Sequence, residues 1–287
     1  MRLSLLTLTA FFLFSCKSPS QSVLDTVAPL PKRIKEASAS EIVVGKDWIW
    51  TVEDQKNEPI IYAVDQQGKL VKEIRLTNVS NNDWEDLTSD KEGNLYIGDF
   101  GNNDNERQNL AIYKVDKAHL EKDEAEVSSV IQFYYPEQKE FPPKKKERVF
   151  DVESFFYFNN NFYLFTKNRS SKFDGTTVLY KVPNRVGEKV AAQKISEFVT
   201  CGNFNHCAIT SAAISPSGKK VVLLSSDKMW LFTDFEGDNF FSGKVQKIEL
   251  DHFSQKEGIG FENETTLLIT DEAEKKGQGN IYRLKLK

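Results

Sequence analysis

Apolar positions along the chain form short runs separated by polar turns, and the same grouping recurs. The clearest copy has a strand that begins at Glu85, a tight turn at residues 92–94, an apolar strand that ends at Asp99 and a third strand over residues 112–115. Glycine or asparagine turns between short aromatic and β-branched runs indicate antiparallel strands. The pattern therefore predicts an all-β structure.

Five copies of this unit are visible, and each has a third strand with an aromatic residue. These third strands cover residues 61–64, 112–115, 179–182, 229–232 and 281–284. Fourth extended segments follow, for instance over residues 70–76, 127–134 and 245–250. Four strands in about fifty residues are typical of a propeller blade. We expect a single β-propeller of five four-stranded blades, with six blades and a β-sandwich as the alternatives.

The last unit lacks a fourth strand because the sequence ends at Lys287. A segment before the first unit can supply that strand and close the ring. We expect residues 33–37 to do so, with the first strand of the first unit at residues 41–44.

The first residues have the pattern of an export signal. An uncharged apolar run from Leu3 to Phe14 follows Met1-Arg2 and ends at Ser15-Cys16. The run is shorter than the roughly 20 residues that a spanning helix needs. Residues 13–16 resemble the lipobox of bacterial lipoproteins, which implies cleavage before Cys16 and acylation of that cysteine with chains such as palmitate. The alternative is an ordinary signal peptide.

These features predict three segments: a signal peptide over residues 1–15, a lipidated tether over 16–31 and the propeller over 32–287. The tether is expected because residues 17–31 are rich in Ser, Pro and Lys and have no apolar periodicity. The membrane is then a partner through the lipid anchor. Lys17 provides no acidic retention signal after Cys16, so we expect the outer membrane, facing the periplasm.

Composition changes this picture little. The formal net charge is −4, which gives no electrostatic reason to expect nucleic acid as a partner. Cys201 and Cys207 lie six positions apart, and in an oxidising envelope they predict a disulfide. A metal site completed by His206 is the weaker alternative.

Aligning the units on their turns brings two sets of residues to one mouth of the central channel. The starts of the first strands provide Ser40, Glu85, Glu153, Thr210 and Glu257. The ends of the second strands provide Glu53, Asp99, Lys167, Asp227 and Asp271.

Unpaired buried carboxylates are strongly disfavoured, so the three glutamates need compensation. A Ca²⁺ ion held by Glu85, Glu153 and Glu257 would provide it, as would Lys167, Arg169 and Arg107. Hydrogen bonds that link neighbouring blades are the structural alternative. For a ligand at this mouth, the expected contacts are Glu85, Asp86, Asp99, Arg107, Lys167, Arg169 and Asp271.

The chain contains the motifs N-D-W-E-D-L-T at 82–88, I-G-D-F-G-N-N at 97–103, D-V-E-S at 151–154, T-K-N-R at 166–169 and K-E-G-I-G-F at 256–261. Together these motifs resemble a group of bacterial envelope propellers that are distantly similar to phytase-like esterase and SdiA-regulated propellers. The resemblance implies a six-bladed propeller and, from the phytase-like members, Ca²⁺-dependent phosphoester hydrolysis.

Two functional hypotheses follow. The first is an envelope-anchored binding or scaffolding propeller whose acidic mouth binds a cation, a small molecule or a protein. The second is a Ca²⁺-dependent phosphoester hydrolase. The first is favoured because the sequence has no Gly-x-Ser-x-Gly motif, and its three histidines lie outside the repeated inner positions.

Overall fold

The computed structural model describes residues 23–273 and 277–286. These residues form five sheets arranged as the blades of a β-propeller, which confirms the predicted fold class and blade number. Helical structure in the described part of the chain is limited to the short segments Phe204–Cys207, Lys117–His119, Lys145–Glu147 and Phe240–Ser242. None of these segments has the length and apolarity needed to span a bilayer.

The blades are numbered in chain order, and each is built outward from the channel. Blade 1 contains Ile49–Thr51, Ile60–Val64 and Leu70–Leu76, with a parallel addition at Glu124–Ala125. Its inner edge is the segment 37–41, where Ala37 bridges to Glu53 and Glu41 bridges to Trp50. This edge begins earlier than the strand expected at 41–44.

Blades 2 and 3 follow in the chain. Blade 2 contains Trp84–Ser89, Leu95–Asp99, Ala111–Val115 and Ser129–Tyr134, with a parallel addition at Val190–Ala191. Blade 3 contains Val152–Phe158, Asn161–Thr166, Thr176–Pro183 and Gln193–Val199. The turn between its first two strands has positive φ at Asn159 and Asn160, as a two-residue hairpin requires.

The last two blades complete the ring. Blade 4 contains Ser211–Ile214, Lys220–Leu224, Lys228–Thr233 and Lys244–Glu249. Blade 5 contains Lys256–Asn263, Thr266–Asp271, Asn280–Lys285 and, as its outer strand, Asp25–Pro29.

An N-terminal strand closes the propeller, but it is not the segment expected. Asp25–Pro29 pairs antiparallel with Asn280–Lys285, whereas residues 33–37 lead into the inner edge of blade 1. The propeller therefore begins no later than Asp25, inside the segment expected to be a tether. The composition of this strand explains the error, because only Ala28 among its five side chains is buried.

The core is a ring of five apolar interfaces, one between each pair of neighbouring blades. Successive side chains of a strand point to opposite faces, so each strand serves two interfaces. Leu95 and Ile97 pack against blade 1, for example, while Tyr96 packs against blade 3. This double burial explains why the second and third strands are continuous apolar runs.

The inner strands also bond to one another around the channel. The Ser38 hydroxyl donates to the Glu85 carbonyl at 2.8 Å, and the Phe155 amide donates to the Asp86 carboxylate at 3.1 Å. The Ile259 amide donates to the Ser211 hydroxyl at 3.2 Å. These bonds fix the positions of the side chains at both ends of the channel.

Candidate functional site

Three glutamates occupy the same structural position in three blades. In each inner strand the pairing register shifts around one residue, and that residue is Glu85 in blade 2, Glu153 in blade 3 and Glu257 in blade 5. Such a bulge inserts one unpaired residue and redirects its side chain. The sequence alignment thus identified equivalent positions, although the metal-binding role of these glutamates remains a prediction.

The carboxyl groups around this end of the channel define what we call the acidic mouth. Its members, which lie close enough to shift one another's pKa values, are Asp54, Asp83, Glu85, Asp151, Glu153, Glu257 and Glu272. In the described residues, the cations that form salt bridges with this set are Lys167 and Arg169.

The salt bridges of the two cations lie on the blade 3 side of the mouth. Lys167 Nζ lies 2.9 Å from Glu153 Oε2, and Arg169 Nε lies 2.6 Å from Asp151 Oδ2. Arg169 also pairs through Nη2 with Glu153. Burial disfavours the charged form of Glu153, but Lys167 and Arg169 outweigh burial and lower its pKa. Glu153 is therefore a carboxylate whose charge is already balanced.

Three acids on the blade 1 and blade 2 side of the mouth form a closer group. Asp54, Asp83 and Glu85 each offer one carboxylate oxygen, and these oxygens lie within 4.8 Å of one another. Asp83 and Glu85 are only 6% and 3% exposed. The buried oxygen Oδ1 of Asp83 has no hydrogen-bond partner within the described chain.

Gly101 is what allows this group to assemble. A β-carbon at this position would overlap Glu85 Oε1 and crowd the carboxylate of Asp83. The loop is held in place because Arg107 Nη1 donates to the Gly101 carbonyl at 2.7 Å and Nη2 pairs with Asp99 at 2.7 Å. Any side chain larger than hydrogen would therefore displace the acids.

The crowding of carboxyl groups raises the pKa values of the acids in this group. Burial, followed by the charges of Glu153, Asp54 and Asp83, raises the pKa of Glu85 well above its usual range. Burial and then the Asp54 carboxylate raise the pKa of Asp83 to about 8. A group of acids that resists ionisation together is a group that a cation would stabilise.

Glu257 and Glu272 lie on the blade 5 side of the same mouth. Burial raises the pKa of Glu257 to about 8, although nearby Lys167 opposes this effect. Burial and the Asp54 charge raise the pKa of Glu272 to about 7. Both carboxyls are only partly buried, so they remain accessible from the channel mouth.

All four acids at the ends of the second strands have local partners. In three blades the acid accepts a hydrogen bond from a tyrosine of the third strand: Tyr62 to Glu53 at 3.1 Å, Tyr113 to Asp99 at 2.9 Å and Tyr282 to Asp271 at 2.6 Å. Asp227 instead contacts His206 and Lys228. These carboxylates support their own blades.

The other expected residues bond to backbone groups, and the placement of Ser40 at the acidic mouth was wrong. Ala37 bridges to Glu53 at that mouth, whereas Glu41, next to Ser40, bridges to Trp50 farther along the channel. Asp86 accepts the amides of Leu87 and Phe155 and so joins blades 2 and 3. The Ser40 hydroxyl donates to Leu268, and the Thr210 hydroxyl donates to Lys256. Both hydroxyls thus bond to backbone carbonyls.

The cysteine predictions concern different parts of the chain. Cys201 and Cys207 are joined by a disulfide bond, with their α-carbons 5.6 Å apart. Cys16 lies outside the described residues, so its acylation remains a prediction.

Sequence reasoning missed Asp54, which belongs to the acid group. Asp54 immediately follows Glu53, which was aligned with the ends of the other second strands. The alignment selected Glu53 and not the adjacent Asp54. Only the three-dimensional structure shows that Asp54 lies beside Asp83 and Glu85. The run of two acids directly after an apolar strand was the available signal.

Comparison with known proteins supports the fold only. No protein-family model matches the chain, and no curated protein matches it either. The PQQ-bound aldose sugar dehydrogenase of Streptomyces coelicolor is 9% identical, with a TM-score of 0.54 over 93% of this chain and 99% of that one. This likeness agrees with a propeller, and identity this low shows nothing more specific.

Two further solved structures have lower TM-scores. Virginiamycin B lyase from Staphylococcus aureus is 13% identical, with a TM-score of 0.40 over 83% of this chain and 63% of the lyase. The present chain therefore spans less than two thirds of the length of that enzyme. The gluconolactonase XC5397 from Xanthomonas campestris is 10% identical, with a TM-score of 0.44 over 88% of this chain and 71% of that one.

Proposed function

We propose that this chain is a cation-dependent binding module, anchored by lipid at Cys16 in the cell envelope. Its acidic mouth binds one divalent cation, Ca²⁺, through Asp54, Asp83 and Glu85. The bound ion then receives oxygen atoms of a small-molecule or protein ligand. The observation that carries this proposal is the buried oxygen Oδ1 of Asp83, which has no hydrogen-bond partner among the described residues and lies beside two further carboxylates.

The donor set fits Ca²⁺. All three side chains offer carboxylate oxygens, the hard ligands that Ca²⁺ prefers. The usual distance between Ca²⁺ and such an oxygen is about 2.3–2.6 Å. Two oxygens bound to one such ion lie at most about 5 Å apart, and the three acids bring theirs within 4.8 Å. Ca²⁺ takes about 6–8 oxygens, so three carboxylates leave positions for water and for an anionic ligand.

The experiment is calorimetric titration of CaCl₂ into protein freed of metal with EDTA. Glu85→Gln and Asp83→Asn should each weaken Ca²⁺ binding at least about tenfold, because each removes a charged ligand. The matched control is Glu124→Gln, which removes an exposed acid from the outer edge of blade 1. If the parent protein shows neither heat of binding nor a rise in melting temperature with Ca²⁺, the proposal fails.

A second candidate is the Ca²⁺-dependent phosphoester hydrolase. The observation that favours it is the carboxyl of Glu257, whose pKa of about 8 keeps it protonated at neutral pH beside Lys167. A protonated acid at a channel mouth can protonate a leaving group, while Lys167 and Arg169 orient an anionic substrate. In this mechanism Glu85 and Glu153 would hold the metal ion, and Glu257, the third ligand suggested by the repeat, serves as the acid instead.

Turnover of p-nitrophenyl phosphate separates the two candidates. A hydrolase should release p-nitrophenol in a Ca²⁺-dependent manner and lose that activity on Glu257→Gln. A binding module should bind Ca²⁺ without turnover. Ca²⁺ binding that is abolished by Glu153→Gln and spared by Asp83→Asn would favour the ligand set of the hydrolase candidate.

The envelope part of the proposal has its own test. Mass spectrometry of the processed protein should find an acylated Cys16 at the N-terminus, and Cys16→Ser should release the protein from the membrane fraction. Fractionation should place the parent protein in the outer membrane, facing the periplasm. Uncleaved protein that retains residues 1–15 would contradict the lipobox.

A further inference from the structure

The opposite end of the channel contains a second site, distinct from the acidic mouth. A cavity of about 290 Å³ lies where the inner strands end, and every blade contributes to its lining. Representative lining residues are Glu41, Ser89, Tyr157, Ala213 and Phe261, from blades 1 to 5 in turn. We call this end the aromatic mouth. Its volume is at the small end of the range for ligand pockets, which is roughly 300–1,000 Å³.

Much of the wall of the aromatic mouth is apolar. Tyr157 and Phe158 are partly exposed in it, and Tyr157 is held in place by stacking on Tyr96 with ring centroids 5.4 Å apart. Ile214 and Ala213 line the blade 4 side. A fixed aromatic ring beside small aliphatic groups suits a flat or linear apolar body.

The carboxyl group of Glu41 lies within this wall. Glu41 accepts a hydrogen bond from the Ser89 hydroxyl, and the backbone of Glu41 is fixed by two bonds to Trp50, of 3.0 and 2.8 Å. No lysine or arginine in the described residues forms a salt bridge with Glu41. Burial raises its pKa to about 7, as expected for a carboxylate without a cationic partner.

The other charged groups at the aromatic mouth favour a cation as well. Asp90 already accepts bonds from Asn94 and from the Tyr96 phenol, and Lys91 and Glu92 are exposed at the rim. The lining thus contains three acids and one lysine. A positive group inside would be attracted by the carboxylate of Glu41, in a cavity that the aromatic rings of Tyr157 and Phe158 also line.

We propose that the aromatic mouth binds a small organic amine, whose ammonium group pairs with Glu41 and whose apolar body lies against Tyr157 and Phe158. This site goes beyond the proposed function, since it shares no residue with the acidic mouth. Because the two sites lie at opposite ends of one channel, a ligand at each can be bound simultaneously.

The test uses three probes of the same shape on the full chain: 2-phenylethylamine, 2-phenylethanol and phenylacetate. Calorimetry should show binding of the amine at least about tenfold tighter than of the neutral alcohol, and no binding of the acid. Glu41→Gln should remove the preference of the amine over the alcohol, whereas Glu124→Gln should keep it. Equal binding of amine and alcohol, or no binding of the amine, would overturn the proposal.

A measurement on the parent protein places the amine without relying on a variant. With ¹³C-labelled alanine methyl groups, 2-phenylethylamine should shift the signals of Ala212 and Ala213, which line the cavity, and leave Ala111 unchanged. Loss of amine binding on Glu85→Gln, with the Ala212 and Ala213 signals unshifted, would assign the amine to the acidic mouth and overturn the proposal.

Discussion

The phenol of Tyr282 donates a hydrogen bond of 2.6 Å to the carboxylate of Asp271, and this pair joins the third strand of blade 5 to the end of its second strand. The same pairing occurs between Tyr113 and Asp99 in blade 2. The aromatic third strand and the acidic end of the second strand, which the repeat shows as separate features, are therefore two halves of one contact. This contact accounts for both without a ligand.

Removing the phenol should destabilise the blade. Tyr282→Phe keeps the ring and leaves the buried carboxylate of Asp271 with one fewer donor, so we expect a loss of about 1.5–3 kcal/mol in the free energy of unfolding. Tyr134→Phe is the control, because Tyr134 is 43% exposed, and its effect should stay within about 0.5 kcal/mol. Urea unfolding of both variants measures the difference, and equal losses would contradict the structural role.

The parts of the fold that the sequence predicted are those with a repeated physical cause. Burial between two blades makes the second and third strands apolar, and the bulge places a glutamate at the same point of three inner strands. Parts determined by a single long-range contact were not predictable. Asp25–Pro29 lacks a clear strand pattern because four of its five side chains are at least partly exposed.

The position of this closing strand leads to a prediction about truncation. A chain that begins at Lys32 lacks Asp25–Pro29 and leaves the edge of Asn280–Lys285 unpaired. Lost strand bonds and the lost burial of Ala28 and Leu30 should cost about 2–4 kcal/mol and lower the melting temperature by roughly 5–15 °C. A chain that begins at Val23 retains the strand and is the control. Equal melting temperatures would show that the strand is dispensable.

Gly101 provides a test of the acidic mouth that leaves every acid in place. In Gly101→Ala the new methyl group would overlap Glu85 Oε1 and displace it from Asp83. We expect the rise in melting temperature with Ca²⁺ to disappear, since it depends on binding to the native state. Gly202→Ala is the matched control, because a β-carbon there meets nothing within 4 Å. A full Ca²⁺ response in Gly101→Ala would exclude Asp83 and Glu85 as ligands of one ion.

The raised pKa of Glu41, at the aromatic mouth, makes the free energy of unfolding depend on pH. Its pKa of about 7 in the folded chain lies above the ordinary value of 4.5, so between these two pH values the folded state keeps a proton that the unfolded state has released. Stability from this group is therefore complete below about pH 4.5 and is lost as the pH rises through 7. Other acids with raised pKa values contribute in the same direction, so the comparison needs a variant.

In Glu41→Gln this contribution is absent, and the free energy of unfolding should fall less between pH 5 and pH 8 than in the parent chain. Allowing for the partial exposure of Glu41, we expect a difference on the order of 1–2 kcal/mol. Urea unfolding at several pH values measures it, with Glu124→Gln as the control that should follow the parent profile. If the profiles of Glu41→Gln and the parent run parallel, Glu41 is ionised in the folded chain at neutral pH, and burial does not govern its protonation.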